Sequence, residues 1–387
     1  MYQSRSVVCD GMIPPSTSSG PSPIPLCARA TQPSRISSHE RAIDSRTSEG
    51  LLPRRVRHCG RIPWLEPFRH TMSQLTTVIP VYNGEQFLES TLKSVASQTR
   101  RPDRVIIQDN CSTDRTPLIA QAFAEEGFEW CRTESHLKIE DNFNQAMCYA
   151  SETDVLHLLM ADDLIKPNFY ERLLEPLENV EGHALVYSAF EVIDEDGELV
   201  ESGDLVNPFP IIPGGQARAI PLRQFISSQS DLRTICMPAV LMKTDREPLP
   251  VGLRLGFIQC ADAVFYAEIT CEYKKFFEVP EALCQYRRHG NSVTSCNRNQ
   301  PVTLINDQWR ATTTIDAIMG RRGWLSGFRR RCFIAASTRI LLGDMPELES
   351  DQREEAVQMA RSITGPFAWR LGNLAVALRD FLGQGRL

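Results

Sequence analysis

The sequence has none of the segments that mark a membrane-spanning, disulfide-rich or zinc-binding protein. No apolar run approaches the roughly 18 residues that a transmembrane helix requires. The twelve cysteines form no Cys-x-x-Cys pair and do not cluster with histidines, so neither a disulfide framework nor a zinc site is expected. Scattered cysteines of this kind favour a reducing compartment, and we expect a cytoplasmic protein.

Acidic residues outnumber basic residues over most of the chain. Residues 1–71 contain ten arginines, no lysine and five acidic residues, although the whole protein has a net charge of −6. The rest of the chain is therefore strongly acidic, which argues against a nucleic-acid partner. Apolar residues make up 42% and charged residues 23% of the chain, the proportions of an ordinary globular domain.

The first 71 residues show no sustained helical or strand periodicity. They are rich in serine, proline and arginine, a composition that predicts a disordered extension. We expect Met72 to be the biological start of the chain. The remainder divides into a predicted α/β domain over residues 72–299 and a predicted helical region over residues 300–387.

Alternating strand and helix patterns begin at Leu75. Apolar runs predict strands at residues 75–79, 104–107, 155–160, 184–193 and 282–285. Amphipathic stripes predict helices between them, including one that begins near Gly84 and one that begins at Pro167. This alternation predicts a mostly parallel, doubly wound sheet with helices on both faces.

Polar side chains follow three of these strands. They occupy residues 80–83, 108–114 and 161–163. The carboxyl ends of parallel strands meet at one edge of a sheet, and open α/β sheets bind their ligands at that edge. Carboxylates in this position favour a site for a nucleotide and a divalent cation.

These segments resemble the motifs of the family 2 glycosyltransferases, which have the GT-A fold and transfer a sugar from a nucleotide donor with inversion. The resemblance covers residues 74–296 and rests on five segments in the family's order. They are residues 78–83, 109–114, 161–163, 260–262 and 286–294. The chain departs from the family at Met160, where many relatives have a further aspartate, and at Ala261, where glutamate is usual.

The resemblance implies that the pair Asp162 and Asp163 binds the donor. Asp163 would bind Mn²⁺ or Mg²⁺, a hard cation that takes carboxylate and phosphate oxygens, and Asp162 would hydrogen-bond the donor ribose. From the residues alone, the pair could instead cap a helix that follows it. We expect the side chains of Asp163 and of Asp262, the aspartate of residues 260–262, at an open strand edge, outside the core.

The same resemblance places the nucleotide base near the first two strands. Asp109 would accept the imide N–H of a uracil-type base, so the donor is expected to be UDP-linked. Pro80, Tyr82 and Asn83 would shape the pocket, with Tyr82 against the base. In the alternative interpretation, Asp109 only stabilises a turn through local backbone hydrogen bonds.

Two later segments would supply the chemistry of transfer. By resemblance, Asp262 is the general base that takes the proton of the acceptor hydroxyl as its oxygen attacks the anomeric carbon. Arg287 and His289 would contact the diphosphate and stabilise its departing charge. The alternatives are a helix-capping role for Asp262 and a solvated loop position for His289.

The segment over residues 320–333 carries five arginines beside Trp324, Phe328 and Phe333. Such a segment could lie peripherally on an anionic lipid surface, at the inner face of a membrane. It could also pack its aromatic side chains on the catalytic domain and expose its arginines. The sequence alone leaves both interpretations open.

The sequence therefore predicts a metal-dependent, inverting hexosyltransferase that acts on a glycan or lipid-linked acceptor in polysaccharide synthesis. A catalytically silent sugar-nucleotide-binding domain is the first alternative, because of Met160 and Ala261. A nucleotidyltransferase is the second, although the glycine-rich phosphate loop expected of that class is missing near the first strand.

Overall fold

The computed structural model describes residues 73–201, 207–232, 235–290, 292, 295, 297, 300–343, 345 and 348–381. The predicted extension over residues 1–71 and the proposed start at Met72 lie outside these ranges. Within the described part of the chain, ten strands form a single sheet. They are β1 (Leu75–Val81), β2 (Arg104–Asp109), β3 (Glu129–Arg132), β4 (Val155–Leu158), β5 (Leu164–Ile165), β6 (Ala184–Ile193), β7 (Leu199–Val200), β8 (Arg218–Ile220), β9 (Val240–Lys243) and β10 (Lys275–Arg287).

Helices cover the sheet and form the end of the described chain. They are α1 (Leu88–Ala96), α2 (Thr116–Glu125), α3 (Ile139–Met147), α4 (Phe169–Leu174), α5 (Leu222–Ser230), α6 (Ala261–Glu268), α7 (Pro301–Ile318), α8 (Trp324–Gly343) and α9 (Ser350–Phe381). Helix α9 is kinked, because Gly365 has a φ of 75° and Pro366 follows it. No helix in the described ranges combines the length and the apolarity needed to cross a membrane.

The strand order is β3-β2-β1-β4-β9-β6-β10-β5, with β7 paired to β6 and β8 to β10. Strands β1 to β4 are mutually parallel, and β6 pairs in parallel with β10. Strand β9 is antiparallel to both β4 and β6, so β6 and β10 point the same way as β1. The carboxyl ends of β1, β2, β4, β6 and β10 therefore share one edge, and the predicted α/β class is confirmed.

Two apolar cores lie on the two faces of the sheet. Helices α1, α2 and α4 bury their apolar stripes on one face, as the 3.6-residue period of α1 predicts for Leu88, Leu92 and Val95. Helices α3, α5, α6 and α7 cover the other face. Ala311 and Ile315 of α7 are fully buried in that core, so the first C-terminal helix packs directly on the α/β region.

Two predicted helix starts differ from the structure. The helix expected near Gly84 begins at Leu88, after a turn. The helix expected at Pro167 begins at Phe169. It follows the short strand β5, which pairs with β10, and a turn over residues 167–168. The strand β5 also separates Asp163 from α4, so the alternative of a helix cap at the aspartate pair is wrong.

Candidate functional site

The loop after β1 is joined to the loop after β2 by Asn83. Its side-chain Oδ1 accepts the backbone N–H of Thr113 at 2.8 Å, and its backbone N–H donates to Ser112 Oγ at 2.9 Å. Asn83 has a φ of 50°, a conformation that asparagine tolerates better than most residues. Pro80 is buried within β1, where it lies opposite Gln108 of β2. It therefore lies beneath this edge and not on its surface.

Tyr82 presents an open aromatic surface at the same edge. Its side chain is 49% exposed, and its ring centroid lies 4.3 Å from that of His136. The His136 Nδ1 atom in turn lies 3.3 Å from the backbone oxygen of Asn110. Such a supported ring can stack on any nucleobase, so base selectivity would have to come from hydrogen bonds.

Asp109 ends β2 and is fully buried. Its Oδ1 accepts the backbone N–H of Ser112 at 2.8 Å, and its Oδ2 accepts a hydrogen bond from Arg132 Nη1 at 3.1 Å. Asp109 therefore does stabilise the turn after β2, as the alternative interpretation predicted. Each carboxylate oxygen keeps a second lone pair, so a base-reading role for Asp109 remains a prediction.

Arg132 was missed by the sequence analysis. It lies on β3, and the parallel pairing of β2 with β3 places it directly beside Asp109. The only signal in the sequence is that one strand ends in aspartate and the next in arginine, which shows nothing until their register is known.

Asp163 is buried, contrary to the open position that we expected, with only 1% of its surface exposed. Its Oδ1 accepts the backbone N–H of Arg287 at 2.7 Å because β10 ends directly beside it. Its Oδ2 is buried and has no hydrogen-bond partner among the described residues. Burial, together with the charge of Asp162, raises the pKa of Asp163 well above its usual value.

The unpartnered Oδ2 of Asp163 fits a cation ligand, because a buried carboxylate oxygen without a donor is costly until something positive pairs with it. Within the described ranges, no cluster of three or more histidine, cysteine or acidic side chains could hold a metal ion. A cation at Asp163 would therefore need most of its ligands from donor phosphates and water, as is usual for Mg²⁺.

Arg287 holds the turn that carries the aspartate pair. Its Nε donates to the backbone oxygen of Asp162 at 2.8 Å, and its Nη1 donates to the backbone oxygens of Asp194 and Glu195 at 2.8 and 3.0 Å. The side chain is almost fully buried, with its guanidinium 4.8 Å from the Phe87 ring centroid. A diphosphate contact by Arg287 stays a prediction, because these carbonyls already accept from three of its five N–H donors.

His289 lies against the donor-side carboxylate. Its Nε2 is 3.0 Å from Asp162 Oδ2, so the ring donates to that oxygen. The ring centroid lies 4.6 Å from that of Phe87, which fixes the orientation of the imidazole. The alternative of a freely solvated histidine is wrong, since the side chain is only 10% exposed.

Asp262 lies in the first turn of α6, which begins at Ala261, and not at the strand edge that we expected. Its Oδ1 accepts the backbone N–H of Ala263 at 2.7 Å. The helix-cap position is occupied by Cys260, whose side chain makes no capping bond. Burial raises the pKa of Asp262 to about 6, with a smaller contribution from the charge of Asp307, while helix N–H groups oppose the rise. A carboxylate with this pKa suits proton transfer near neutral pH.

The charges of Asp163 and Asp262 both act on one buried thiol, that of Cys236. The pKa of Cys236 is raised by its hydrogen bond with Cys284, by burial, and by the charges of both carboxylates. Strands β9 and β10 bring these groups together, although Asp163 and Asp262 are far apart in the sequence. A shared site for the predicted metal ligand and the predicted general base stays a prediction, which this common electrostatic neighbour supports.

A second unanticipated group is Asp307 on α7. Its carboxylate accepts the backbone N–H groups of Ile258, Gln259 and Cys260 at 3.1, 2.8 and 2.9 Å. On the same helix, Arg310 donates to the backbone oxygen of Gly256 at 2.8 Å. The loop that leads into Asp262 is therefore held by the C-terminal helix, and an acid on the buried face of an amphipathic pattern was its only sequence signal.

Comparison with known proteins gives the sequence context of this site. Residues 76–227 match the model of glycosyl transferase family 2. An uncharacterised glycosyltransferase of Haemophilus influenzae is 21% identical over 229 residues, which are 57% of this chain and 67% of that protein. The putative glycosyltransferase EpsE of Bacillus subtilis is 24% identical over 151 residues, 38% of this chain and about half (53%) of that protein.

Two solved structures show a weaker likeness. Residues 1–349 of Staphylococcus aureus TarS, in complex with UDP-GlcNAc, superpose with a TM-score of 0.48 at 13% identity, covering 77% of this chain and 83% of that fragment. The mannosyltransferase PcManGT of Pyrobaculum calidifontis, in complex with GDP-Man and Mn²⁺, gives a TM-score of 0.44 at 12% identity, covering 81% and 88% of the two chains.

The family match runs from β1 to α5. It contains the polar ends of β1 and β2 and the aspartate pair after β4, whereas Asp262, Arg287 and His289 lie beyond it. The residues that match this family model therefore form the half of the candidate site that holds Asp162 and Asp163.

Proposed function

We propose that the protein is an inverting glycosyltransferase that moves a hexose from a UDP-linked donor to a hydroxyl of a glycan or lipid-linked acceptor. The observation that carries this proposal is the match of residues 76–227 to glycosyl transferase family 2. It is supported by the charges of Asp163 and Asp262, which both act on the buried thiol of Cys236. One carboxylate has an unpartnered buried oxygen, and the other has a pKa near 6.

The donor would bind over the ends of β1, β2 and β4. Tyr82 offers the stacking surface, and Asp109 offers a hydrogen-bond acceptor for the base. Asp162, oriented by His289, would hydrogen-bond the ribose. Asp163 would hold Mn²⁺ or Mg²⁺, which neutralises charge on the diphosphate when bound.

The acceptor would approach from the side of α6. As the acceptor oxygen attacks the anomeric carbon, its proton passes to the Asp262 carboxylate. The new C–O bond forms as the bond from that carbon to the diphosphate oxygen breaks, and UDP leaves with the bonding electrons. Attack from the face opposite the diphosphate gives inversion.

The catalytically silent alternative is favoured by Ala261 and Met160. It would lack the transfer step while keeping the donor site. The raised pKa of Asp262 favours the enzyme, because a carboxylate held near neutral pKa by burial is costly and is common at catalytic positions. We further propose a role in polysaccharide synthesis in the cytoplasm, with peripheral membrane contact through residues 320–333.

The test is UDP release from a panel of UDP-sugars with Mn²⁺, measured alongside donor-induced thermal stabilisation. An active transferase should release UDP slowly by donor hydrolysis and faster with an acceptor. Stabilisation without any release would show the silent binding domain instead. Pyrophosphate release from a sugar phosphate and a nucleoside triphosphate would show a nucleotidyltransferase.

A further inference from the structure

Helix α8 and the middle of α9 are unusual in their charge. Residues 317–343 and 361–378 contain eight arginines and no lysine, aspartate or glutamate. The whole protein, by contrast, has a net charge of −6. These two segments are therefore positively charged on an acidic protein.

The part of α9 that follows the kink packs against α8. Gly372 lies where any side chain would collide with the backbone oxygen of Cys332, and Arg339 Nη1 donates to the backbone oxygen of Asn373 at 3.1 Å. Ala368 and Val376 are buried on the same side of α9. The inner face of this helix is thus fixed by close contact with α8.

The opposite side of α9 is an apolar stripe in solvent. Phe367, Leu371, Leu374 and Leu378 are 70, 43, 53 and 52% exposed. Their spacing of four, three and four residues puts them on one side of the helix. Such a stripe normally faces a core, so its exposure calls for an apolar partner.

Residues of α8 extend this stripe. The ring of Phe367 stacks on that of Phe328 with centroids 5.7 Å apart, and Phe328 stacks on Trp324 at 5.9 Å. Trp324 is 81% exposed and Leu325 is 70% exposed. The α8–α9 face is defined here as the four stripe residues of α9 together with Trp324, Leu325 and Phe328.

Arginines without acidic partners flank the α8–α9 face. In the described part of the chain, Arg322, Arg331 and Arg370 are exposed and form no ion pair. Their neighbours Arg329 and Arg330 pair with Asp231 and Asp316, both at 2.6 Å, and so belong to the fold. Cationic charge around an apolar surface matches the interface of an anionic bilayer.

We propose that the α8–α9 face docks on an anionic lipid membrane, with Trp324 and the α9 stripe at the acyl boundary and the flanking arginines among the phosphates. This surface is larger than the segment over residues 320–333, because α9 supplies more than half of its apolar residues. A second copy of the chain fits less well, since a symmetric contact would bring unpaired arginines against one another without any acid between them.

The test is co-sedimentation with phosphatidylcholine vesicles that contain or lack phosphatidylglycerol, at low and high salt. We expect binding only to the anionic vesicles at low salt. The triple variant Arg322→Gln, Arg331→Gln, Arg370→Gln should weaken binding at least about tenfold, given the scale of one basic residue near an anionic surface. The double variant Trp324→Ser, Phe367→Ser should weaken it by a similar factor without unfolding, since both side chains are exposed.

Matched controls are Arg101→Gln in the loop before β2 and Leu118→Ser on α2. Both change exposed residues and should leave vesicle binding unchanged. Equal binding to both kinds of vesicle, or unchanged binding by the two test variants, would overturn the proposal. So would a wild-type dimer in light scattering that binds no vesicles and that Trp324→Ser, Phe367→Ser dissociates. UDP release in solution should stay the same in every variant, so a failed docking proposal is distinguishable from a failed transferase proposal.

Discussion

The carboxylate of Asp307 accepts the backbone N–H of Cys260 at 2.9 Å, and Cys260 immediately precedes the helical turn that carries Asp262. Asp307 is 3% exposed and also holds the two preceding N–H groups of the same loop. A single side chain of α7 therefore holds the backbone of the loop that leads to Asp262, the proposed general base. The C-terminal helices contribute to the site through this contact.

The first prediction concerns Asp307 as a positioning residue. Asp307→Asn loses part of its capacity to accept three N–H groups, so the loop into α6 should loosen. We expect kcat to fall about tenfold or more, while the KM for the donor stays within about twofold, since geometry errors near 1 Å are costly in catalysis. Steady-state kinetics with donor and acceptor measure both constants.

The matched control for Asp307 is Asp316→Asn on the same helix. Asp316 pairs with Arg330 and Arg321 and does not touch the loop before α6. Its replacement should lower the melting temperature and leave kcat unchanged. Equal loss of kcat in both variants would mean that Asp307 acts only through stability.

The second prediction separates donor binding from transfer. Asp262→Asn should keep UDP affinity within about twofold but lower kcat by about 10²-fold or more, the usual scale of a lost general base. The amide oxygen can still accept the Ala263 N–H, so the turn is preserved. Near-normal transfer by this variant would show that another carboxylate is the base.

The third prediction follows from the pKa of Asp262, which burial raises to about 6. The base must be ionised, so kcat/KM should rise with pH through about 6. The folded protein binds this proton more tightly than the unfolded chain, so wild-type stability falls as pH rises from about 4 to about 6. Asp262→Asn should therefore be more stable than wild type above pH 6, by up to about 3 kcal/mol.

Thermal melts of wild type and Asp262→Asn over the same pH range measure this difference. The difference between the two melting temperatures should be small near pH 4 and reach its maximum above pH 6. A gap that is constant with pH would show that Asp262 does not titrate in this range.

The fourth prediction concerns the cation ligand. Asp163→Ala should abolish Mn²⁺-dependent UDP binding and turnover together, because it removes the buried carboxylate. It also removes the acceptor of the Arg287 N–H, so some loss of stability is expected. Asp163→Asn keeps an acceptor oxygen there and tests the charge alone.

Isothermal titration of UDP with and without Mn²⁺ measures the effect in both variants. We expect Asp163→Asn to remain folded and to bind UDP equally well, or equally poorly, with and without the metal. If it retained the metal dependence of wild type, the proposed role of the aspartate pair would be wrong.

Local sequence patterns were enough to predict half of the ten strands and the apolar stripe of α1. The strand predicted at residues 184–193 is observed as β6 (Ala184–Ile193), and the stripe of α1 is buried as predicted. Polar residues at the ends of β1, β2 and β4 also marked the correct edge of the sheet. These features depend on local periodicity and on the side-chain alternation of neighbouring residues, which a linear sequence displays directly.

Longer-range features needed the tertiary structure. The predicted strand at residues 282–285 is the end of β10 (Lys275–Arg287), which continues past Pro280 by shifting its register against β6. The sequence could not predict this, because a proline within a run normally argues against a central strand. The short β9 was also missed, although it joins the two parallel parts of the sheet.

The chemistry of the site divides in the same way. The sequence named Asp163 and Asp262 by type and position, but only the fold buried Asp163 and raised the pKa of both carboxyl groups. Burial decides the pKa of a carboxylate and whether its oxygens find donors, and it depends on chain segments far away in sequence. The partner of Asp109 on β3 and the loop contacts of Asp307 on α7 likewise exist only once the sheet register and helix packing are formed.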